Sequence, residues 1–269
     1  MDIGYMKMAL ELAQKAQGRT SPNPMVGAVV VKNGNIVGTG YHQKAGTPHA
    51  EIHALHEAGE KAYGADLYVT LEPCNHYGRT PPCTESIIRA GIKRVFVALR
   101  DPNPLVCGEG IARLKAHGIV VQEGLLEDEA RKTNEVFLKF IRTKLPFVAL
   151  KTATSLDGKI ATEKGESQWI TGQEARLRGH WLRNIYDAIL VGIGTVKFDN
   201  PSLTCRLPEQ KGRDPIRIIV DSKLSIDEGA HVLNLQSNAP TIIATTTQAN
   251  IEKISRIEKK AAVLVVNEG

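Results

Sequence analysis

Residues Val26–Tyr41 read VGAVVVKNGNIVGTGY, and this stretch decides the fold. Two β-rich runs, Val26–Lys32 and Ile36–Tyr41, flank Asn33-Gly34, a dipeptide suited to the positive φ angles of a tight hairpin turn. Upstream, residues 6–17 (MKMALELAQKAQ) repeat apolar positions at helical spacing and stop at Gly18. Downstream the pattern predicts a helix from about Pro48 to Ala62, a strand at Leu67–Leu71, and a helix at Thr84–Ala90 closed by Gly91. Strand Val95–Leu99, helix Gly108–His117, strand Ile119–Gln122 and helix Glu127–Phe140 follow. A hairpin leading into alternating strands and helices predicts a layered α/β domain.

Ile141–Pro146 (IRTKLP) reads as a linker, which divides the 269-residue chain into domains at 1–145 and 146–269. Alternation then restarts. Phe147–Thr152 reads as a strand, and Thr171-Gly-Gln-Glu174 as a capping box opening a helix to about Arg183. Further strands are expected at Ala188–Val191, Ile216–Asp221, Thr241–Thr245 and Val263–Val266, with a helix near Gln248–Lys259.

The formal net charge of +5 is shared by both halves, and no basic block stands out. A nucleic-acid face is therefore not indicated, whereas a mildly basic chain suits an anionic small substrate such as a phosphate ester. The start, MDIGYMK, lacks the basic and apolar regions of a signal peptide, and no apolar run approaches the ~18 residues of a membrane span. The expectation is a cytoplasmic protein with no membrane partner. Its four cysteines (74, 83, 107 and 205) would stay reduced there, so metal binding is a better use for a close pair than a disulfide.

His49-Ala50-Glu51 opens one helix, Pro73-Cys74 follows a strand, and Cys83 precedes another helix. This is the H-x-E … P-C … C arrangement of zinc deaminases. One imidazole and two thiolates suit tetrahedral Zn²⁺, and three protein ligands leave a fourth position for water. His49, Cys74 and Cys83 are therefore the candidate metal ligands. Glu51, two residues from His49 on the first helical turn, is the candidate proton carrier. A structural zinc site in a binding module would need a fourth protein ligand, for which His42, His76 and Cys107 are available. That alternative gives Glu51 no task. His53 and His56, on the same helix, read as partner contacts or solvated positions. Cys205 reads as a packed or exposed free cysteine.

Eight residues separate the two cysteines, unlike the C-x-x-C of most nucleoside and transfer-RNA deaminases. The gap argues against a deaminase of free or RNA-borne bases. The runs TLEPCNHYGRTPPC (Thr70–Cys83), SPNPMVGAVVV (Ser21–Val31) and RDPNP (Arg100–Pro104) closely resemble the bifunctional riboflavin-biosynthesis deaminase–reductases. In the second half, KTATSLDGKIAT (Lys151–Thr162), SQWIT (Ser167–Thr171) and VGIGTVKFDNPSLTCR (Val191–Arg206) extend the resemblance over nearly the whole chain.

The resemblance implies a cytidine-deaminase-like first domain that binds Zn²⁺. That domain deaminates 2,5-diamino-6-ribosylamino-4(3H)-pyrimidinone 5′-phosphate. It also implies a dihydrofolate-reductase-like second domain that reduces the ribosyl group to ribityl with NADPH. It assigns Asn23, His42 and Arg79 to the first substrate site. Cofactor contacts fall on Ala153, Trp169, Thr195, Asp199 and Ser222, and reductase substrate contacts on Lys151, Ser167, Arg183, Leu203 and Arg206. Physically, Arg183 and Arg206 can fork onto a phosphate. One departure stands out. The family places a helix and a strand before a Glu-Gly-Gly phosphate loop, whereas Glu268-Gly269 follows the Val263–Val266 run directly. The second domain is accordingly expected to be truncated and to reduce poorly. Its sheet should show an unpaired edge and part of an apolar face, which favours a homo-oligomer.

Overall fold

The computed structural model describes residues 2–77, 81–103, 107–208 and 212–267. It divides into two compact units, Met1–Ala149 and Leu150–Gly269. In the first, the hairpin forms between β1 (Gly27–Lys32) and β2 (Asn35–Tyr41). Asn33 and Gly34 take φ values of 51° and 78° at its turn, the left-handed geometry that matches the twist of paired strands. β3 (Asp66–Leu71), β4 (Arg94–Leu99) and β5 (Val120–Glu123) complete a five-stranded sheet in the order β2-β1-β3-β4-β5. β1 runs antiparallel to both neighbours, and β3, β4 and β5 are mutually parallel.

Both faces of this sheet are covered, so its central strands are continuous apolar runs rather than alternating ones. Ala28, Val30, Leu67, Val69, Val95 and Val97 face α2 (Ala50–Ala58), α3 (Cys83–Arg89) and α4 (Glu109–Ala116). Val29, Val31, Tyr68, Phe96 and Ala98 face α1 (Ile3–Gln14) and the helices α5 (Glu127–Thr133) and α6 (Glu135–Thr143). Tyr68 stacks on Phe96 with ring centroids 4.4 Å apart.

Periodicity predicts one helix over Glu127–Phe140, but the structure breaks it at Asn134, where φ is −111°. The buried Asn134 side chain accepts from Met25 N (2.8 Å) and donates to Met25 O (2.9 Å). An amide satisfied by a distant backbone outweighs one uninterrupted helical turn. α6 then runs to Thr143, so the expected linker at Ile141–Pro146 is helical over its first half.

The second unit holds a parallel four-stranded sheet, β6 (Ala188–Gly192), β7 (Ile216–Val220), β8 (Thr241–Thr246) and β9 (Ala262–Val266), in sequence order. α7 (Gln173–Ile185) precedes it, α8 (Ile193–Asp199) follows β6, and α9 (Ile251–Ile257) joins β8 to β9. Ile219, Leu224, Ile226, Ile243 and Ile257 form the core on one face. The other face leaves Leu190, Val220, Leu264 and Val266 exposed. Two local expectations need correction. Phe147–Thr152 is not a strand, because it pairs with neither edge of the sheet, and Val148 and Leu150 are exposed. The N-cap of α7 is Gly172 with no side-chain cap, and Thr171 instead offers its carbonyl to Arg176 Nη1 at 2.7 Å. Among the described residues, no helix is long and apolar enough to cross a membrane.

Candidate functional site

The depth of α2 on the sheet is set by two glycines of β2. A Cβ at Gly38 would lie 2.1 Å from Ala54 O, and one at Gly40 would lie 2.3 Å from Ala50 O. Only hydrogen fits there, so the helix start, with His49 as its N-cap and Glu51 in its first turn, lies close against the strand. β3 delivers Pro73-Cys74 from its carboxyl end, and Cys83 begins α3. Thr84 ties the two together: its N–H donates to Cys74 O (3.2 Å) and its hydroxyl to Asn75 Oδ1 (3.0 Å).

His49 Nδ1 lies 3.2 Å from Cys83 Sγ and 3.5 Å from Cys74 Sγ, and the three ligand atoms fall within 4.8 Å of one another. A tetrahedral zinc with ordinary Zn–N and Zn–S bonds has ligand–ligand edges of about 3.5 Å, so the donor set fits that ion. Among the described residues no fourth ligand joins the group. Cys107 is exposed, and His76 is exposed. His42 is buried close by, its ring edge-on to His49 at 5.4 Å. Both of its nitrogens are engaged, Nδ1 with Pro48 O and Nε2 with Asn23 Nδ2, each at 3.2 Å. A carbonyl can only accept and an amide nitrogen can only donate, so His42 is a neutral ring protonated at Nδ1. Burial lowers its pKa in the same sense.

The backbone N–H of Cys83 donates to Cys74 Sγ at 3.3 Å, and the two thiols are pushed apart in pKa. Hydrogen bonding from Cys83 first, and from His49, draws Cys74 down to about 4. Hydrogen bonding with Cys74 first, then burial and the Glu51 charge, pushes Cys83 upward. His49 is raised, chiefly by its hydrogen bond with Cys74. A bound dication would displace the thiol protons and favour both thiolates. Glu51 is buried, and desolvation, reinforced by Cys74, raises its pKa to about 7. A group poised near neutrality can both accept and release a proton.

Arg79 lies outside the described residues. So does Glu268-Gly269. Sequence reading singled out neither Glu72 nor Asp101, although both stand inside quoted motifs. The buried Glu72 carboxylate accepts from Asp101 N (3.2 Å), Gly108 N (3.0 Å) and Ile111 N (3.2 Å), joining the Cys74 loop to the start of α4. Burial first, then the nearby Glu72 charge, raises the Asp101 pKa. An acid placed directly before Pro73-Cys74 was the available signal. His53 is half-buried rather than solvated, and among the described residues its buried Nε2 has no hydrogen-bond partner.

In the second unit, Thr195 and Asp199 lie on α8 just beyond β6, and Ser222 follows β7. Thr195 and Ser222 thus lie near the carboxyl ends of parallel strands, where open α/β sheets take ligands, whereas Asp199 ends α8. Arg183 projects from α7, and its charge interacts with that of Arg206 in the loop after α8. Leu203 in that loop is buried with φ of 54°. Lys151 and Trp169 are exposed, Ala153 and Ser167 half-buried, and the Trp169 ring lies under Arg176 at 4.5 Å.

Fold and site together define a zinc-binding deaminase joined to a second α/β domain. Residues 1–99 match the cytidine and deoxycytidylate deaminase zinc-binding region, and residues 146–268 match the RibD C-terminal domain. The riboflavin biosynthesis protein RibD of Bacillus amyloliquefaciens is 55% identical over 96% of this chain and 69% of its own length. That of Aquifex aeolicus is 53% identical over 100% and 74%. A diaminohydroxyphosphoribosylaminopyrimidine deaminase/5-amino-6-(5-phosphoribosylamino)uracil reductase from Thermotoga maritima superposes with a TM-score of 0.85 at 46% identity, covering 99% of this chain and 80% of that one. Acinetobacter baumannii RibD gives 0.88 at 42% identity, covering 99% and 74%. The chain belongs to the RibD family of bifunctional riboflavin-biosynthesis enzymes, which pair a zinc-binding deaminase with an NADPH-binding reductase. The expectation of a truncated second domain is not supported. The RibD C-terminal match reaches residue 268, and the chain carries both domains.

Proposed function

We propose that residues 1–145 deaminate 2,5-diamino-6-ribosylamino-4(3H)-pyrimidinone 5′-phosphate at zinc held by His49, Cys74 and Cys83, with Glu51 as the catalytic proton carrier. The observation that carries this reading is the convergence of Nδ1 and two Sγ atoms within 4.8 Å beside a buried carboxylate. Bound zinc supplies the Lewis acidity that makes water a nucleophile at neutral pH. Glu51 takes the proton of the attacking water and delivers protons to the ring nitrogen and to the departing ammonia. Asn23, His42 and Arg79 bind the substrate. The neutral His42 fixes the Asn23 amide with Nδ2 turned toward the imidazole.

Residues 146–269 reduce the ribosyl group to ribityl with NADPH. Ala153, Trp169, Thr195, Asp199 and Ser222 contact the cofactor, and Lys151, Ser167, Arg183, Leu203 and Arg206 contact the substrate. The strand-end positions of Thr195 and Ser222 support this assignment. The chain acts in the cytoplasm as a homo-oligomer, a state that the exposed Leu190, Val220, Leu264 and Val266 favour.

Metal analysis tests the ligand set. One zinc per chain should persist in Cys107→Ser and Cys205→Ser and disappear when Cys74 and Cys83 are both replaced by serine. Zinc retained after the double replacement would refute the assignment.

A further inference from the structure

We propose that His180 is a positioning residue that holds Arg183 and the Arg206 loop together as one receptor for the phosphate of a sugar phosphate. The proposal rests on the reading above that Arg183 and Arg206 contact the reductase substrate. His180 and Arg183 stand three residues apart on α7 and so share a helix face. His180 Nδ1 lies 3.2 Å from Arg183 Nη1 and 3.1 Å from the backbone N of Arg206. A guanidinium and a backbone N–H can only donate. Nδ1 therefore carries the lone pair that receives both, and the imidazole is neutral with its proton on Nε2.

This one acceptor joins a helix to a loop that the chain reaches only after β6 and α8. Two further contacts fix the loop: Cys205 N donates to Asp214 Oδ1 at 2.7 Å, and Cys205 Sγ to His180 O at 3.4 Å. The Arg206 guanidinium is steadied by the Thr204 hydroxyl at 2.7 Å. His180 thus ties together two segments that each carry a cation, and the two charges act on one another. Among the described residues neither Arg183 nor Arg206 enters an ion pair. Burial first, then the Arg206 charge, lowers the pKa of Arg183. The same two arginines lower the pKa of His180, after burial, which keeps the imidazole an acceptor. Cations gathered without a counter-charge are relieved by an incoming dianion, and paired guanidinium forks match phosphate geometry. A protonated or absent imidazole would release Arg183 and leave the two arginines to repel one another.

The test is calorimetric titration of the full chain with ribose 5-phosphate and, separately, with ribose. Wild type should bind the phosphate and show no measurable ribose binding. His180→Leu should weaken ribose 5-phosphate binding by about tenfold or more, the scale of one charge-assisted hydrogen bond network lost. His180→Asn, whose Oδ1 can replace Nδ1 as acceptor, should recover to within about threefold. The circular dichroism spectrum and thermal unfolding of the full chain should be unchanged in both variants, which separates a local effect from failure of the second unit to fold. Wild-type affinity in His180→Leu, or no recovery in His180→Asn, overturns the positioning role. If Arg183→Ala and Arg206→Ala also bind like wild type, or wild type does not bind, the underlying substrate reading fails as well.

Discussion

At the level of single residues, Glu51 is a buried acid held away from its ordinary titration range. Its folded-state pKa of about 7 stands above the ordinary carboxylate value of 4.5, because burial disfavours the charge and Cys74 adds to the effect. In metal-free protein well below about pH 4.5 the group is protonated folded and unfolded, and it costs nothing. As pH rises toward 7, the unfolded chain ionises freely while the folded one resists, so stability is lost across that window. The full penalty above pH 7 is about 3 kcal/mol. Glu51→Gln removes the charge, so chelator-treated Glu51→Gln should be more stable than metal-free wild type at pH 8 by up to about 3 kcal/mol. The advantage should shrink to about 0.4 kcal/mol at pH 4.5. Urea unfolding at the two pH values measures it, and an equal difference at both would mean that burial of the charge is not its cause. His49, Glu51, Cys74 and Cys83 were all legible in the sequence, because zinc chemistry restricts both residue type and placement. Glu72 was not, since its work lies in accepting three backbone N–H groups that only the folded chain brings together.

Elements position these residues through close approach more than through side-chain bulk. β2 touches α2 at Gly38 and Gly40 with no room for a methyl group, and β1 meets α1 at Gly27, where a Cβ would fall 1.9 Å from Ala9 O. Gly40→Ala should push the start of α2 outward, cost about 3 kcal/mol or more, and weaken zinc binding, because His49 moves with the helix. Thermal unfolding and zinc titration would show this, and a variant with normal stability and zinc affinity would contradict the packing account. The hairpin, most strands and most helices of the first unit follow from turn chemistry and periodicity. The break at Asn134 was hidden, because its partner Met25 lies 109 residues away. Phe147–Thr152 misled for a related reason: a β-prone run becomes a strand only where a sheet edge receives it.

On the scale of the whole molecule, two units with separate cores carry two chemistries, and only the first contains the His49, Cys74 and Cys83 set among the described residues. Chelation should therefore abolish ammonia release while leaving NADPH oxidation on the deaminated product within about twofold, and added zinc should restore the first activity. Parallel loss of both would show that the reductase depends on the metal. Family membership was legible from the motif runs of both halves. The truncation expected from the Glu268-Gly269 loop is not supported by the match to the RibD C-terminal domain over residues 146–268. The central claim is that the His49, Cys74 and Cys83 centre deaminates with Glu51 moving the protons. Its most direct test measures ammonia release from the phosphorylated diaminopyrimidinone, with zinc counted in the same samples of wild type and Glu51→Gln. The account predicts one zinc per chain in both and a fall in turnover of at least about 10²-fold in the variant. Near-normal ammonia release from zinc-loaded Glu51→Gln would contradict it.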